Sequence, residues 1–317
     1  MIEVRFSSTM RFHQLNVSPL TTAQAVKLPR SLRYGHSREL DSRMIDLRRN
    51  NVRILGRGSR TMVFAHGFGC DQNMWRFMVP AFEQDYRIVL FDFVGHGKSD
   101  ASAFDRSRYE TLHGYADDVL AICEGLGISD GVFVGHSVSA MIGILAAKKE
   151  PTRFESLVLI GPSPCYVNQE GYRGGFARED IEDLLEFLDS NHLGWSSQMG
   201  PVIMGNPERP ELATELTNSF CRTDPEIAKH FARVTFLSDN RQDLTDVPGR
   251  CLILQCSNDP IAGEAVGRFV HEHLPGSEFV QLEAAGHCPH LSAPQETIAA
   301  IKPFLERSAF AKQARGV

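Results

Sequence analysis

The chain has 317 residues, of which 42% are hydrophobic and 23% charged, with a formal net charge of -6. That apolar content supports one sizeable core, or one core with an added cap, and the negative balance argues against nucleic acid as a partner of the body. No apolar run reaches the ~18 residues that would mark a membrane span.

The first 43 residues differ from the rest. They carry seven Lys or Arg (Arg5, Arg11, Lys27, Arg30, Arg33, Arg38 and Arg43) against three acids (Glu3, Glu39 and Asp41), so residues 1–43 hold +4 and residues 44–317 hold -10. They contain no 7–15-residue apolar stretch with a cleavage site, so they read as a poor secretory signal. Their Arg-rich, acid-poor character faintly resembles an organelle transit peptide. A disordered tail or a true start at Met44 are the readings favoured here. The cysteines Cys70, Cys123, Cys165, Cys221, Cys251, Cys256 and Cys288 are odd in number and never spaced Cys-x-x-Cys. They read as reduced thiols, which places the chain in the cytoplasm.

From Met44 onward, short apolar runs alternate with helix-length amphipathic segments. Thr61–Ala65, Ile88–Asp92, Gly131–Gly135, Ser156–Ile160, Cys251–Gln255 and Glu278–Leu282 are compact runs, apolar on both faces. They predict strands of a mostly parallel sheet covered by helices. Leu112–Gly127 and a segment from near Val138 to Lys149 have helical spacing, the first ending at glycine and the second before Pro151. The alternation predicts an α/β class. Residues 162–243 break it, with no strand signal. There Ile181, Leu184, Leu185 and Leu188 share one helical face, and Leu212, Leu216 and Phe220 share another. Thr223-Asp224-Pro225 supplies a helix start before Ile227, Phe231 and Val234. This region predicts a helical cap inserted between the core segments 44–161 and 244–317, over the carboxyl ends of the strands, where ligands are enclosed.

The chemistry falls in four post-strand loops. Gly135-His136-Ser137-Val138-Ser139 joins a strand to a helix, and Ser137 is the candidate nucleophile. Gly135 and Ser139 are small, as the crowded turn around such a serine demands, although the fifth position is ordinarily glycine. A helix N-cap is the competing reading of Ser137. Ala65-His66-Gly67-Phe68-Gly69 is a glycine-rich loop whose Phe68 N–H, with that of Val138, would form an oxyanion hole. Asp259 follows the strand at 251–255 and can orient a histidine; Asp239, Asp243 and Asp246 are rivals on the cap side. His287 follows the last strand and is the candidate base. His290 is its alternative, and the pair at i and i+3 raises a metal site, which lacks further ligands. His66, His96 and His136 flank glycines and read as loop hydrogen-bonders, and His271 and His273 as residues of a surface helix. Cys288 is either a reactive thiol beside the base or a small space-filler. The order Ser137, Asp259, His287 is that of α/β-hydrolases, and no cofactor is implied.

Several of these segments resemble the RsbQ family of bacterial stress regulators: residues 66–72 (HGFGCDQ), 91–100 (FDFVGHGKSD), 135–138 (GHSV), 161–166 (GPSPCY), 254–257 (LQCS) and 286–290 (GHCPH). The resemblance covers about residues 46–306 and is also similar to the plant strigolactone and karrikin receptors. It implies an α/β-hydrolase fold with a four-helix cap, a small hydrophobic ester- or lactone-type ligand, slow hydrolysis, and positive regulation of a PAS-domain protein phosphatase that switches on the sigma-B stress response. It further implies that Phe68, Phe176, Trp195 and Phe236, with Val138, line the pocket; cap-core packing is their alternative role. Met199 stands where the plant receptors carry an aromatic residue, which points to a ligand different from theirs. A stand-alone metabolic esterase or lactonase, and a receptor with vestigial hydrolysis, are the competing functions.

Overall fold

The computed structural model describes residues 47–314, so the basic segment 1–43 lies outside the described residues. Seven strands form one sheet: β1 (Arg53–Leu55), β2 (Arg60–Ala65), β3 (Tyr86–Leu90), β4 (Gly131–His136), β5 (Phe154–Ile160), β6 (Arg250–Asn258) and β7 (Glu278–Ala285). Their order is β1-β3-β2-β4-β5-β6-β7, and only β1 runs antiparallel to its neighbour.

The inner strands β2 to β6 are largely apolar on both faces because both faces are covered. Val63, Ala65, Val89, Phe133, Leu157, Leu159 and Ile253 point to one side. There they meet α1 (Leu112–Gly125) and α2 (Val138–Lys149). Met62, Phe64, Ile88, Val132, Val134, Val158, Ile160 and Leu252 alternate with them and face Trp75, Met78, Ile301 and Phe304 on the other side. Expected strand positions hold with two differences. The three-residue β1 was not expected, since its short, largely exposed sequence carries no apolar pattern. The third strand spans 86–90, not 88–92. Asp92 leaves the sheet because its carboxylate accepts hydrogen bonds from the Gln72 and Lys98 backbone N–H groups and from Asn51 Nδ2.

Between β5 and β6 the chain forms α3 (Arg178–Ser190), α4 (His192–Met204), α5 (Pro210–Arg222) and α6 (Pro225–Phe236). Asp224 caps α6, accepting from the Glu226 and Ile227 N–H groups ahead of Pro225. The apolar stripes of α3, α5 and α6 face inward, where they bury Ile181, Leu185, Leu216, Phe220 and Phe231. After β6 come α7 (Glu264–His273), α8 (Pro289–Ser292) and α9 (Pro294–Ala314). Among the described residues no helix is long and apolar enough to cross a membrane.

The register places the site. Ala65 pairs with Gly135, and Asn258 with Ala285, so the carboxyl ends of β2 and β4, and of β6 and β7, are level. The loops leaving those ends carry Phe68, Ser137, Asp259 and His287.

Candidate active site

Ser137 sits on a sharp turn between β4 and α2, with φ 58° and ψ -125°. That conformation costs a serine on the order of 1–3 kcal/mol. The turn is held by the Ser137 N–H on the Ile160 carbonyl (2.8 Å) and the Ala140 N–H on the Ser137 carbonyl (2.9 Å). A Cβ at Gly135 would lie 2.5 Å from the Ser139 carbonyl oxygen, which is why the turn needs glycine two residues before the serine.

His287 Nε2 is 2.8 Å from Ser137 Oγ, across 150 positions of sequence, and His287 Nδ1 is 2.7 Å from Asp259 Oδ2. The carboxylate fixes the tautomer: Nδ1–H donates to Asp259, leaving Nε2 to accept the serine proton. Asp259 is itself fixed, since its Oδ1 accepts the Ile261 and Ala262 N–H groups at 2.8 and 3.0 Å. The three side chains belong to buried residues beneath the cap, where charge developing in a reaction is poorly screened by water.

The rival assignments fall elsewhere. Asp239 pairs with Arg241, and Asp243 accepts from Asn240. Asp246 occupies a positive-φ turn. His290 packs tilted against Trp75 and His136, with ring centroids 4.7 and 4.4 Å away, and burial pushes its pKa down to about 3. Among the described residues no group of three or more His, Cys, Asp or Glu side chains is arranged to hold a metal. Cys288 is buried, and burial raises its thiol pKa well above the usual value. It stays protonated and packs as a small apolar group.

The base is gripped from two sides. Its backbone N–H donates to the Ile203 carbonyl of α4 at 2.9 Å. Its carbonyl lies 2.7 Å from His136 Nε2. His136 must therefore carry its proton on Nε2, and burial, reinforced by His290 and His287, lowers its pKa well below the usual value and keeps it neutral. His66 and His96 are likewise buried and lowered, His96 to about 3.

The oxyanion loop is similarly tied. Among the described residues neither the Phe68 N–H nor the Val138 N–H has a hydrogen-bond partner, Val138 being the first residue of α2. Gly69 has φ 65°, and a Cβ there would lie 2.3 Å from the Phe220 ring. The Gly69 carbonyl accepts the Ser219 hydroxyl of α5 at 2.8 Å. The Phe68 ring meets Trp195, Phe220, Phe231 and Phe236 at centroid distances of 5.9, 6.0, 5.7 and 5.8 Å.

Three of the expected lining residues, Phe68, Trp195 and Phe236, are thus brought together. Phe176 and Met199 pack at the margin of the same apolar cluster. Sequence reasoning missed Phe220, Phe231 and Tyr166 as members of the site. Tyr166 packs on Phe236 at 5.1 Å, and its buried phenol neighbours Ser137 without a hydrogen bond of ordinary geometry. Burial pushes that phenol up to about 12. Phe220 and Phe231 lay on recognised helical stripes, and such a stripe says that a face is buried but not against what.

Comparison with known proteins agrees with this fold. Residues 62–301 match the Alpha/beta hydrolase family. A probable esterase of Oryza sativa subsp. japonica is 40% identical over 78% of this chain and 93% of its own length. A strigolactone esterase of Arabidopsis thaliana is 39% identical over 81% of this chain and 95% of its own. The solved structure of a hydrolase from Oleispira antarctica superposes with a TM-score of 0.82 at 40% identity, covering 84% of this chain and 97% of that one.

Proposed function

This chain belongs to the α/β-hydrolase family, and from that premise we propose that it hydrolyses a small hydrophobic ester or lactone as an RsbQ-type signalling enzyme. Ser137 attacks the carbonyl carbon while His287 takes the hydroxyl proton, and Asp259 stabilises the resulting imidazolium. The Phe68 and Val138 N–H groups receive the negative charge on the carbonyl oxygen. His287 then protonates the leaving alkoxide, and water, activated by the same histidine, releases the acid and restores Ser137. The observation that carries this reading is the continuous Ser137–His287–Asp259 relay at 2.8 and 2.7 Å beneath a cap of aromatic rings. The relatives named as esterases support the chemistry.

The biological output in this reading is positive regulation of a PAS-domain protein phosphatase in the cytoplasm, resting on the motifs shared with the stress regulators. Two measurements test the two halves. Short p-nitrophenyl esters should be cleaved by wild type and not by Ser137→Ala; equal rates would remove Ser137 as nucleophile. A bacterial two-hybrid screen against PAS-phosphatases encoded near the gene should find a partner. Fast turnover of a metabolite with no such interaction would favour a stand-alone metabolic esterase.

A further inference from the structure

The two oxyanion donors come from separate segments: Phe68 from the loop after β2, and Val138 from the first turn of α2. Backbone pairing between β2 and β4 ends at Ala65 and Gly135, before either donor. Something beyond the sheet must therefore set the gap between them.

Ser139 occupies that position. Its residue is fully buried, and its hydroxyl donates to the His66 carbonyl at 2.5 Å. Ser139 adjoins Val138, and His66 lies two residues before Phe68, so this single bond joins the two arms of the hole. His66 is also fixed at its other end. Its Nε2 accepts the Phe93 N–H at 3.1 Å, which puts its proton on Nδ1, 2.9 Å from the Gly67 carbonyl. The Gly67 carbonyl also receives the Cys70 N–H at 3.3 Å. With that carbonyl turned toward these two donors, the peptide leaves the following Phe68 N–H unpaired.

We infer that Ser139 is a positioning residue that sets the spacing of the two oxyanion donors through its hydrogen bond to the His66 carbonyl. The fifth position of the elbow is thus more than a space-saving residue, because a glycine there would leave the strap unmade. This inference rests on the ester-hydrolase reading of the same site.

The test uses the full chain as wild type, Ser139→Ala, Ser139→Gly and Ser137→Ala. Steady-state rates on p-nitrophenyl acetate are measured beside the rate at which a fluorophosphonate labels Ser137 and the affinity for a phenyl trifluoromethyl ketone. The ketone adduct places an oxyanion in the hole. Loss of a whole oxyanion donor costs ~10²–10³ in rate, so a displaced one should cost about tenfold. Both Ser139 variants should show that loss in kcat, in labelling rate and in ketone affinity, with KM within about twofold of wild type. Ser139→Gly provides the second variant should the alanine form fail to fold. Unchanged kcat and labelling in either folded variant would overturn the inference, as would a kcat loss matched by an equal rise in KM and no selective loss of ketone affinity. Wild type no faster than Ser137→Ala in turnover and unlabelled by the fluorophosphonate would overturn the hydrolase reading and the inference together.

Discussion

The sheet and the cap meet over Ser137 but position their residues by different means. Ser137, Asp259 and His287 each leave the carboxyl end of a paired strand, so backbone register fixes where the reacting atoms stand. Trp195, Phe220, Phe231 and Phe236 reach Phe68 from helices that join no strand of the sheet, and ring packing does most of the positioning. The reaction is therefore specified by the part of the fold that varies least with side-chain identity. In the proposed function, ligand choice falls to these cap side chains, whose helices join no strand.

The sharpest way to break that division is Asp259→Asn. The amide no longer holds the productive tautomer of His287, so kcat should fall by about 10⁴ while the thermal midpoint changes little. A kcat within tenfold of wild type would show that the carboxylate is not part of the relay. Phe231→Ala probes the other side. The ring is fully buried against Phe68, Phe93, His96 and Tyr115, and its loss should cost about 3–5 kcal/mol in urea unfolding. If catalysis is set by the sheet, kcat on p-nitrophenyl acetate should survive within about tenfold in the folded fraction. A loss as deep as that of Asp259→Asn would erase the distinction.

Solution pH probes the histidines buried on the sheet side without mutation. His66, His96, His136 and His290, all outside the cap, have pKa values lowered by burial, His96 and His290 to about 3. Their unfolded value is about 6.5. Their contribution is fully present above that pH. It is lost as pH falls, because the unfolded chain then takes up protons that the folded chain refuses. At pH 6.0 His96 and His290 should each have removed on the order of 1 kcal/mol relative to pH 7.5. A urea midpoint unchanged between those two pH values would contradict the buried neutral assignment. The smallest effect is expected from Ser219→Ala, which removes the hydroxyl on the Gly69 carbonyl. One neutral hydrogen bond is worth about 1 kcal/mol, or about fivefold in kcat if it acts entirely on the oxyanion loop. No change in kcat would place the loop wholly under the control of the sheet side.

The same division explains what was legible in the sequence. Ser137, Asp259 and His287 could be read because each follows an apolar strand run, and residues at strand ends need no knowledge of packing to be located. Trp195 and Phe236 entered only through resemblance. Phe220 and Phe231 stood in plain view as parts of helical stripes, yet which stripe faces Phe68 depends on how the cap helices cross. β1 was missed because pairing with β3, rather than its own pattern, makes Arg53–Leu55 a strand. Ser139 was judged by size alone, since a hydroxyl's partner 73 positions away leaves no local mark.

Among the contacts that cross the division, one reaches the base of the triad: the Ile203 carbonyl of the cap accepts the His287 N–H at 2.9 Å. That bond ties the placement of α4 to the geometry of His287. A ligand that favours one placement of the cap must, by reciprocity, raise the affinity of any protein that grips the cap in that placement, and by the same factor as that protein raises the ligand's. In the proposed signalling role, such a bond would let ligand binding be read on the outer surface of the cap.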